Sequence, residues 1–203
     1  MWTVSPRLVL ASASPSRLRL LRTAGIDPEV IPSGVSEDDV DLSDVAAAAL
    51  DLARRKATTV AELLGSPSPG TLVLGCDSVF DFDGEAMGKP ADAAEAERRL
   101  RAMRGRTGVL HTGHALVALD SGALVDEVAS TEVHLGHPTD GEIAAYVATG
   151  EPLEVAGGIT IDGRSAPFVD GVTGDPGNVV GLSLPTLRRL LARLDIDITA
   201  LWT

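Results

Sequence analysis

The apolar run Leu8-Val9-Leu10-Ala11 has no polar position to turn toward water, and it empties at once into Ser12-Ala13-Ser14-Pro15-Ser16-Arg17. A run of this kind is a strand buried on both faces, so the sheet that holds it needs helices over it. Ser14 is placed to cap a helix opening at Pro15, and the apolar positions Leu18, Leu20, Leu21 and Ala24 follow before Gly25 stops it. The corner also presents free backbone N–H groups at a helix N-terminus. Three hydroxyls (Ser12, Ser14, Ser16) and the fixed charge of Arg17 join them, a set suited to an anion such as phosphate. An ordinary strand–cap–helix corner reads the same way, so the chemistry must be argued from the rest of the chain.

The alternation continues downstream. A short strand is expected at 29–32, followed by the acidic loop Ser36-Glu37-Asp38-Asp39. Ser43 is expected to cap a long Ala/Leu helix that ends near Gly65 and carries Arg54, Arg55 and Lys56. After a Ser/Pro loop at 66–70, a buried strand at 71–75 should end at Cys76-Asp77-Ser78. Asp83-Gly84 signals a hairpin, and Asp92 with Glu95 a capping box for a helix reaching about Arg104. Two long strands, 109–119 and 123–135, flank a Ser121-Gly122 turn; Thr139 with Glu142 then caps a helix closed by Gly150. Short strands between glycine-rich loops are expected up to Gly181, then a last helix at 184–194. Crossover helices combined with long hairpins give an α/β fold: a mixed, twisted β-sheet flanked by helices.

With 203 residues, 44% of them hydrophobic, the chain can bury a real core in one domain. No apolar run approaches a membrane span, and the N-terminal run is too short for a signal-peptide core, so a cytoplasmic protein is expected. The lone Cys76 agrees, since it leaves no disulfide framework. A net charge of −12 argues against nucleic-acid duplexes and anionic membranes as partners. It leaves room for a small polyanion that arrives with a divalent cation and meets a local cluster of positive charge. Lysine is scarce: of 17 basic residues only Lys56 and Lys89 are lysine. Lysine is a compact point charge and arginine a planar fork, so a chain that otherwise uses arginine keeps lysine where a point charge suits a phosphate.

Asp77 is the leading chemical candidate, because α/β proteins place ligands at the carboxyl ends of buried strands. Glu37, brought beside Asp77, would complete a carboxylate site for Mg²⁺ or Mn²⁺, which prefer oxygen ligands. Gly88-Lys89-Pro90 is not a P-loop, since the spacing is one residue short and Pro90 replaces the required hydroxyl; Lys89 stands as a phosphate contact in its own right. Asp81-Phe82-Asp83-Gly84 lacks the remaining ligands of a calcium loop and reads as a hairpin. His111 with His114, and His134 with His137, are three apart on expected strands and face opposite sides, which is no zinc chelate.

Taken in order, LASASPSR, ARRKA, GCDSV, GKP with AD, YVATGEPLEVAGGITIDG and GDPGNVVGLSLPTL resemble the Maf family of nucleoside triphosphate pyrophosphatases, and the likeness covers nearly the whole chain. The resemblance implies one cytoplasmic α/β domain over 1–203, in two lobes about a central cleft, often as a homodimer. It implies an acid-anhydride hydrolase that cleaves a nucleoside triphosphate to the monophosphate and pyrophosphate with a divalent metal, Mg²⁺ or Mn²⁺. An older association with septum formation and division arrest comes with it. By position Arg17, Glu37, Lys56, Asp77 and Lys89 match the family's functional residues, Asp77 at the place of the proton acceptor.

Several positions depart from the family pattern. Ser16 stands where the first of two adjacent arginines is usual, Ser36 where an acid precedes the loop glutamate, and Gly108 where a histidine is frequent. In the branch acting on dTTP and UTP the positions of Ser16, Ser78 and Asp162 hold Arg, Thr and Gln; in the branch acting on 7-methyl-GTP they hold Trp, Gln and Glu. The sequence matches neither set. With Asp162 lining the base pocket, as the resemblance implies, its acceptor-only carboxylate favours guanine, which offers two neighbouring donors, or a modified purine over thymine or uracil. Ser78, close to the threonine of the pyrimidine branch, points the other way, toward an enzyme of broad specificity. Two other classes stand beside the pyrophosphatase: a non-catalytic nucleotide-binding regulator of septum formation, and a phosphomonoesterase with Asp81 or Asp83 as nucleophile.

Overall fold

A computed structural model describes residues 6–36, 39–65 and 70–203. Among these, seven strands form one mixed sheet: β1 (Arg7–Leu10), β2 (Glu29–Val30), β3 (Thr71–Phe82), β4 (Glu85–Met87), β5 (Thr107–Ala118), β6 (Ala123–Leu135) and β7 (Val169–Thr173). The spatial order is β2-β1-β3-β5-β6-β7, with β4 also paired to β3. β1 runs parallel to β2 and to β3, and the remaining pairs are antiparallel. Six α-helices among the described residues accompany the sheet: α1 (Pro15–Thr23), α2 (Val45–Leu64), α3 (Ala93–Met103), α4 (Asp140–Val147), α5 (Pro176–Val180) and α6 (Leu184–Ala192).

The helix starts follow local chemistry. Ser14 caps α1 by accepting from the Arg17 N–H at 3.4 Å, with Pro15 preset for the first turn. At α2 the expectation of Ser43 is corrected: Asp44 accepts from Ala47 N at 2.9 Å, while Ser43 donates its own N–H to Asp41. A carboxylate is the better partner for the positive end of a helix, and Ser43 belongs to the turn before it. Thr139 and Glu142 form the full reciprocal box at α4. At α3 only half of it forms: Asp92 accepts from Glu95 N, but the Glu95 carboxylate passes Asp92 and takes the N–H of Ala91.

Two further expectations are corrected. β3 does not end near Gly75 but continues to Phe82, because β5 pairs with it from Leu72↔Ala118 to Asp81↔Val109 and carries the ladder across the polar pair Asp77-Ser78. The glycine-rich stretch before Gly181 holds short 3₁₀ turns, such as Glu151–Glu154 and Ala166–Phe168, and the single strand β7. It also holds α5, capped by Asp175 with Pro176 at its first position, which is too short for periodicity to reveal.

The core is divided. On one face of the sheet α1 and α6 cover Leu8, Leu10, Leu72, Leu74 and Cys76. On the other, α2 covers Val9, Ala11, Val73, Ala115 and Val117. A third cluster lies at the far end of the long strands, where Phe80, Phe82, Leu110 and Val133 pack with α3 and α4.

Candidate active site

β3 is longer than the neighbours on one of its edges, and this creates the site. β1 pairs with it only as far as Leu74, and β4 picks up the same edge at Phe80. Between them, from Gly75 to Val79, no described strand pairs with that edge, although β5 holds the other edge throughout. Asp77 is the middle residue of the gap. The β1–α1 corner ends beside it, since Ala11 N donates to Leu74 O at 2.8 Å.

On the α2 face the gap carries an ion pair. Lys56 donates to Asp77 Oδ1, with the two side chains only 12% and 9% exposed. Two glycines make the pair reachable. A Cβ built on Gly75 would stand 2.2 Å from Ala53 O, and one on Gly113, the cross-strand partner of Asp77, 2.2 Å from Ala49 O. α2 therefore lies almost on the backbone of β3 and β5, and Lys56, one turn beyond Ala53, is delivered to the carboxylate.

On the opposite face Arg17 acts as a brace. Its Nε donates to Gly181 O at 2.8 Å, Nη1 to Ser12 Oγ at 3.0 Å and Nη2 to Ser78 Oγ at 3.0 Å. Ser78 continues to Thr112 Oγ1 at 2.9 Å, Thr112 donates to Asn178 O at 3.2 Å, and Asn178 Nδ2 donates to Leu110 O and to Thr131 Oγ1. Strand alternation places Asp77 and Ser78 on opposite faces.

Other candidates fall at different distances from this centre. Ser14 is committed to the α1 cap and Ser16 is half-buried in the first turn. Lys89 is 62% exposed on the loop after β4, 3.8 Å from Glu154. Asp162 is paired with Arg19 of α1 and accepts from Thr160 Oγ1. Glu37 lies outside the described residues. The rival nucleophiles are hairpin parts: Asp81 Oδ1 accepts from Gly84 N at 2.8 Å, and Asp83, at φ 57°, holds Arg106 through both oxygens at 2.6 Å.

Gly75, Gly113, Thr112, Asn178 and Gly181 were not singled out from the sequence. A glycine inside a strand is a sign of close backbone approach, and Gly75 and Gly113 carried that signal. His114 belongs with them. It is fully buried, its Nδ1 bonded to Thr112 O and its Nε2 accepting from Ser183 N at 2.8 Å, so the ring is held neutral. Burial, with Arg17 nearby, pushes its pKa down to about 4. Cys76 is buried and its thiol is pushed up to about 12, chiefly by burial, so it is not a nucleophile here.

The sequence is similar to those of known proteins. The family model described as Maf-like protein matches residues 7–194. Over 198 residues the chain is 60% identical to a protein of Streptomyces avermitilis, covering 97% of this chain and 95% of the relative. It is 61% identical over 197 residues to one of Streptomyces coelicolor (97% and 94%), and 56% identical over 198 residues to one of Salinispora tropica (97% and 88%). All three relatives are named nucleoside triphosphate pyrophosphatase.

Proposed function

The chain belongs to the Maf family, and we propose that it is a nucleoside triphosphate pyrophosphatase, an acid-anhydride hydrolase releasing a nucleoside monophosphate and pyrophosphate. The observation that carries this reading is the buried Lys56–Asp77 pair at the centre of the stretch of β3 edge that no described strand pairs, with the Ser12–Arg17–Ser78 brace across the sheet. A structural ion pair has no need of an open strand edge. A carboxylate that must meet a water and a phosphate does.

In the proposed reaction Asp77 orients a water and takes its proton as the oxygen attacks the α-phosphorus. The bond from that phosphorus to the bridging oxygen breaks, and pyrophosphate leaves with the electron pair. Lys56, bonded to Asp77, adds positive charge beside the reacting phosphate, while Lys89 approaches the leaving end from its loop. Arg17 holds the β1–α1 corner against β3 and contributes its charge from below.

The chemistry of the site suits a hard divalent cation: the Asp77 carboxylate offers oxygen, and the one thiol is buried. Asp77 and Glu37 are proposed to hold Mg²⁺ or Mn²⁺, which when bound would neutralise phosphate charge. Among the described residues no helix is long and apolar enough to cross a membrane. A cytoplasmic location is part of the proposal. The division of the core between the two ends of the long strands supports one domain of two lobes over 1–203, and a homodimer is part of the proposal. Sedimentation of the purified chain tests the dimer.

The deciding experiment is incubation with a panel of nucleoside triphosphates and Mg²⁺ or Mn²⁺, followed by product identification. Monophosphate plus pyrophosphate is expected. Binding without turnover would instead support the non-catalytic regulator of septum formation, and orthophosphate alone a phosphomonoesterase.

A further inference from the structure

The loop Gly88-Lys89-Pro90-Ala91 is gripped at both ends by one pair of side chains from α3. Arg99 Nη1 donates to Gly88 O at 2.8 Å, and Arg99 Nη2 donates to Glu95 Oε1 at 2.6 Å. The other oxygen of the same carboxylate, Glu95 Oε2, accepts from Ala91 N at 2.8 Å. The chain of bonds runs from the residue before Lys89, through two side chains, to the residue after Pro90. Gly88 O also accepts from Gly157 N at 3.2 Å, which ties the loop to the turn on its other side.

This is more than a surface pair. An i,i+4 pair on a helix usually leaves both groups in water, where it does little. Here the Arg99 side chain is only 15% exposed, and each partner also bonds the loop backbone, while Arg98 stands 3.6 Å from the same carboxylate. The Ala91 N–H, followed by Arg99, holds the Glu95 carboxyl below its usual range, so the grip is charged at neutral pH. It also explains why the Glu95 side chain bypasses the helix cap it was placed to complete.

Resting on the reading of Lys89 as a phosphate contact, we infer that Arg99 and Glu95 are positioning residues that set where Lys89 meets the substrate. Among the described residues the ion pair of Lys89 is a long, solvent-exposed contact with Glu154, and that does not fix an ammonium on a flexible stem. Its backbone has to be fixed instead. The clamp does this without touching the ligand.

The test is a double-mutant cycle on kcat/KM for the best nucleoside triphosphate with Mg²⁺, using Arg99→Gln, Lys89→Ala and the double variant, with thermal melts on each. Misplacement of a contact by about 1 Å costs up to about 100-fold, so Arg99→Gln is expected to lower kcat/KM by about 10- to 100-fold. Adding it to Lys89→Ala is expected to cost almost nothing more, because the group it positions is already gone. A merely structural Arg99 would lower activity by the same factor in both backgrounds, and that result overturns the inference. So does an Arg99→Gln variant with wild-type kinetics. If Lys89→Ala alone is without effect, the phosphate role of Lys89 fails, and the clamp's purpose with it. Should Arg99→Gln not fold, Arg99→Lys serves in the same cycle, since it keeps the charge near Glu95 and loses the fork that also reaches Gly88.

Discussion

The chain's two lysines occupy opposite physical settings. Lys56 is 12% exposed, placed by a helix that rests on two glycines and paired with Asp77 before any substrate arrives. Lys89 is 62% exposed on a short loop and is placed only through its backbone. The first belongs to a preorganised centre, whose cost is met by the packing of α2 on the sheet. The second is an exposed charge on a fixed anchor. The contrast teaches that similar charges at one site need not be held by similar means, and that perturbing them should separate stability from activity.

The largest effect is expected at the preorganised centre itself. Asp77→Asn keeps shape and loses basicity and charge, so turnover should fall by about 10²–10⁴-fold at saturating metal, with circular dichroism unchanged. A variant retaining more than about a tenth of the wild-type rate would remove Asp77 from proton transfer.

Alanine at each lysine sharpens the comparison. Both variants should lose activity on triphosphates. Only Lys56→Ala should also lose stability, on the order of 3 kcal/mol, because it strands a buried carboxylate without its cation. Lys89→Ala should melt with the wild type. Equal melting temperatures for the two variants would contradict the buried setting of Lys56.

The preorganised side also carries a pH dependence. His114 is neutral in the fold, with its pKa pushed down to about 4 from an ordinary 6.5. The unfolded chain therefore binds the proton first as the medium is acidified. The stability this group contributes is full above about 6.5, is lost as pH falls toward about 4, and is gone below that. Melts from pH 7 to pH 4.5 should show the slope in wild type and a flatter one in His114→Gln. Identical slopes would assign the acid sensitivity to other groups.

Much of this was legible because short-range chemistry wrote it. The Ser14 and Thr139 caps, the Asp83-Gly84 hairpin and the two long strands follow from neighbouring residues alone. Lys56 and Asp77, 21 positions apart in sequence, could be named as chemistry but not as a pair, because what joins them is the close seat of α2 on Gly75 and Gly113. The Arg17 brace was invisible for the same reason: its partners Ser12, Ser78 and Gly181 come from three segments that only the sheet brings together. The sequence offered Arg17 as charge for an anion-suited corner, and in the fold it is nine-tenths buried and bonded through all three nitrogens. The Asp44 cap was missed for a smaller reason, since Ser43 beside it is an equally good capping type.

The smallest expected effect concerns the base. Asp162 was read from sequence as a carboxylate that could take the two donors of guanine. In the fold it already meets Arg19 through Oδ2 and Thr160 through Oδ1. Arg19 lies one helical turn beyond Ser16, so the pair stands over the first turn of α1, next to the position where a large residue is replaced by a small one. The Arg19 side chain is mostly exposed, which makes the pair weak, and a guanine N1–H and amine can compete for the carboxylate's remaining lone pairs. Asp162→Gln removes the charge that repels uracil and thymine carbonyls and supplies a donor for them. It should therefore move the ratio of kcat/KM for GTP to that for UTP by no more than about fivefold, the equivalent of about 1 kcal/mol at a partly exposed pair. Comparison of GTP, 7-methyl-GTP, UTP, dTTP and CTP in both proteins decides it. Purine preference in the wild type with a shift toward UTP and dTTP in the variant is the expected result; a wild type led by UTP or dTTP, or a variant with an unchanged ratio, takes Asp162 out of base selection.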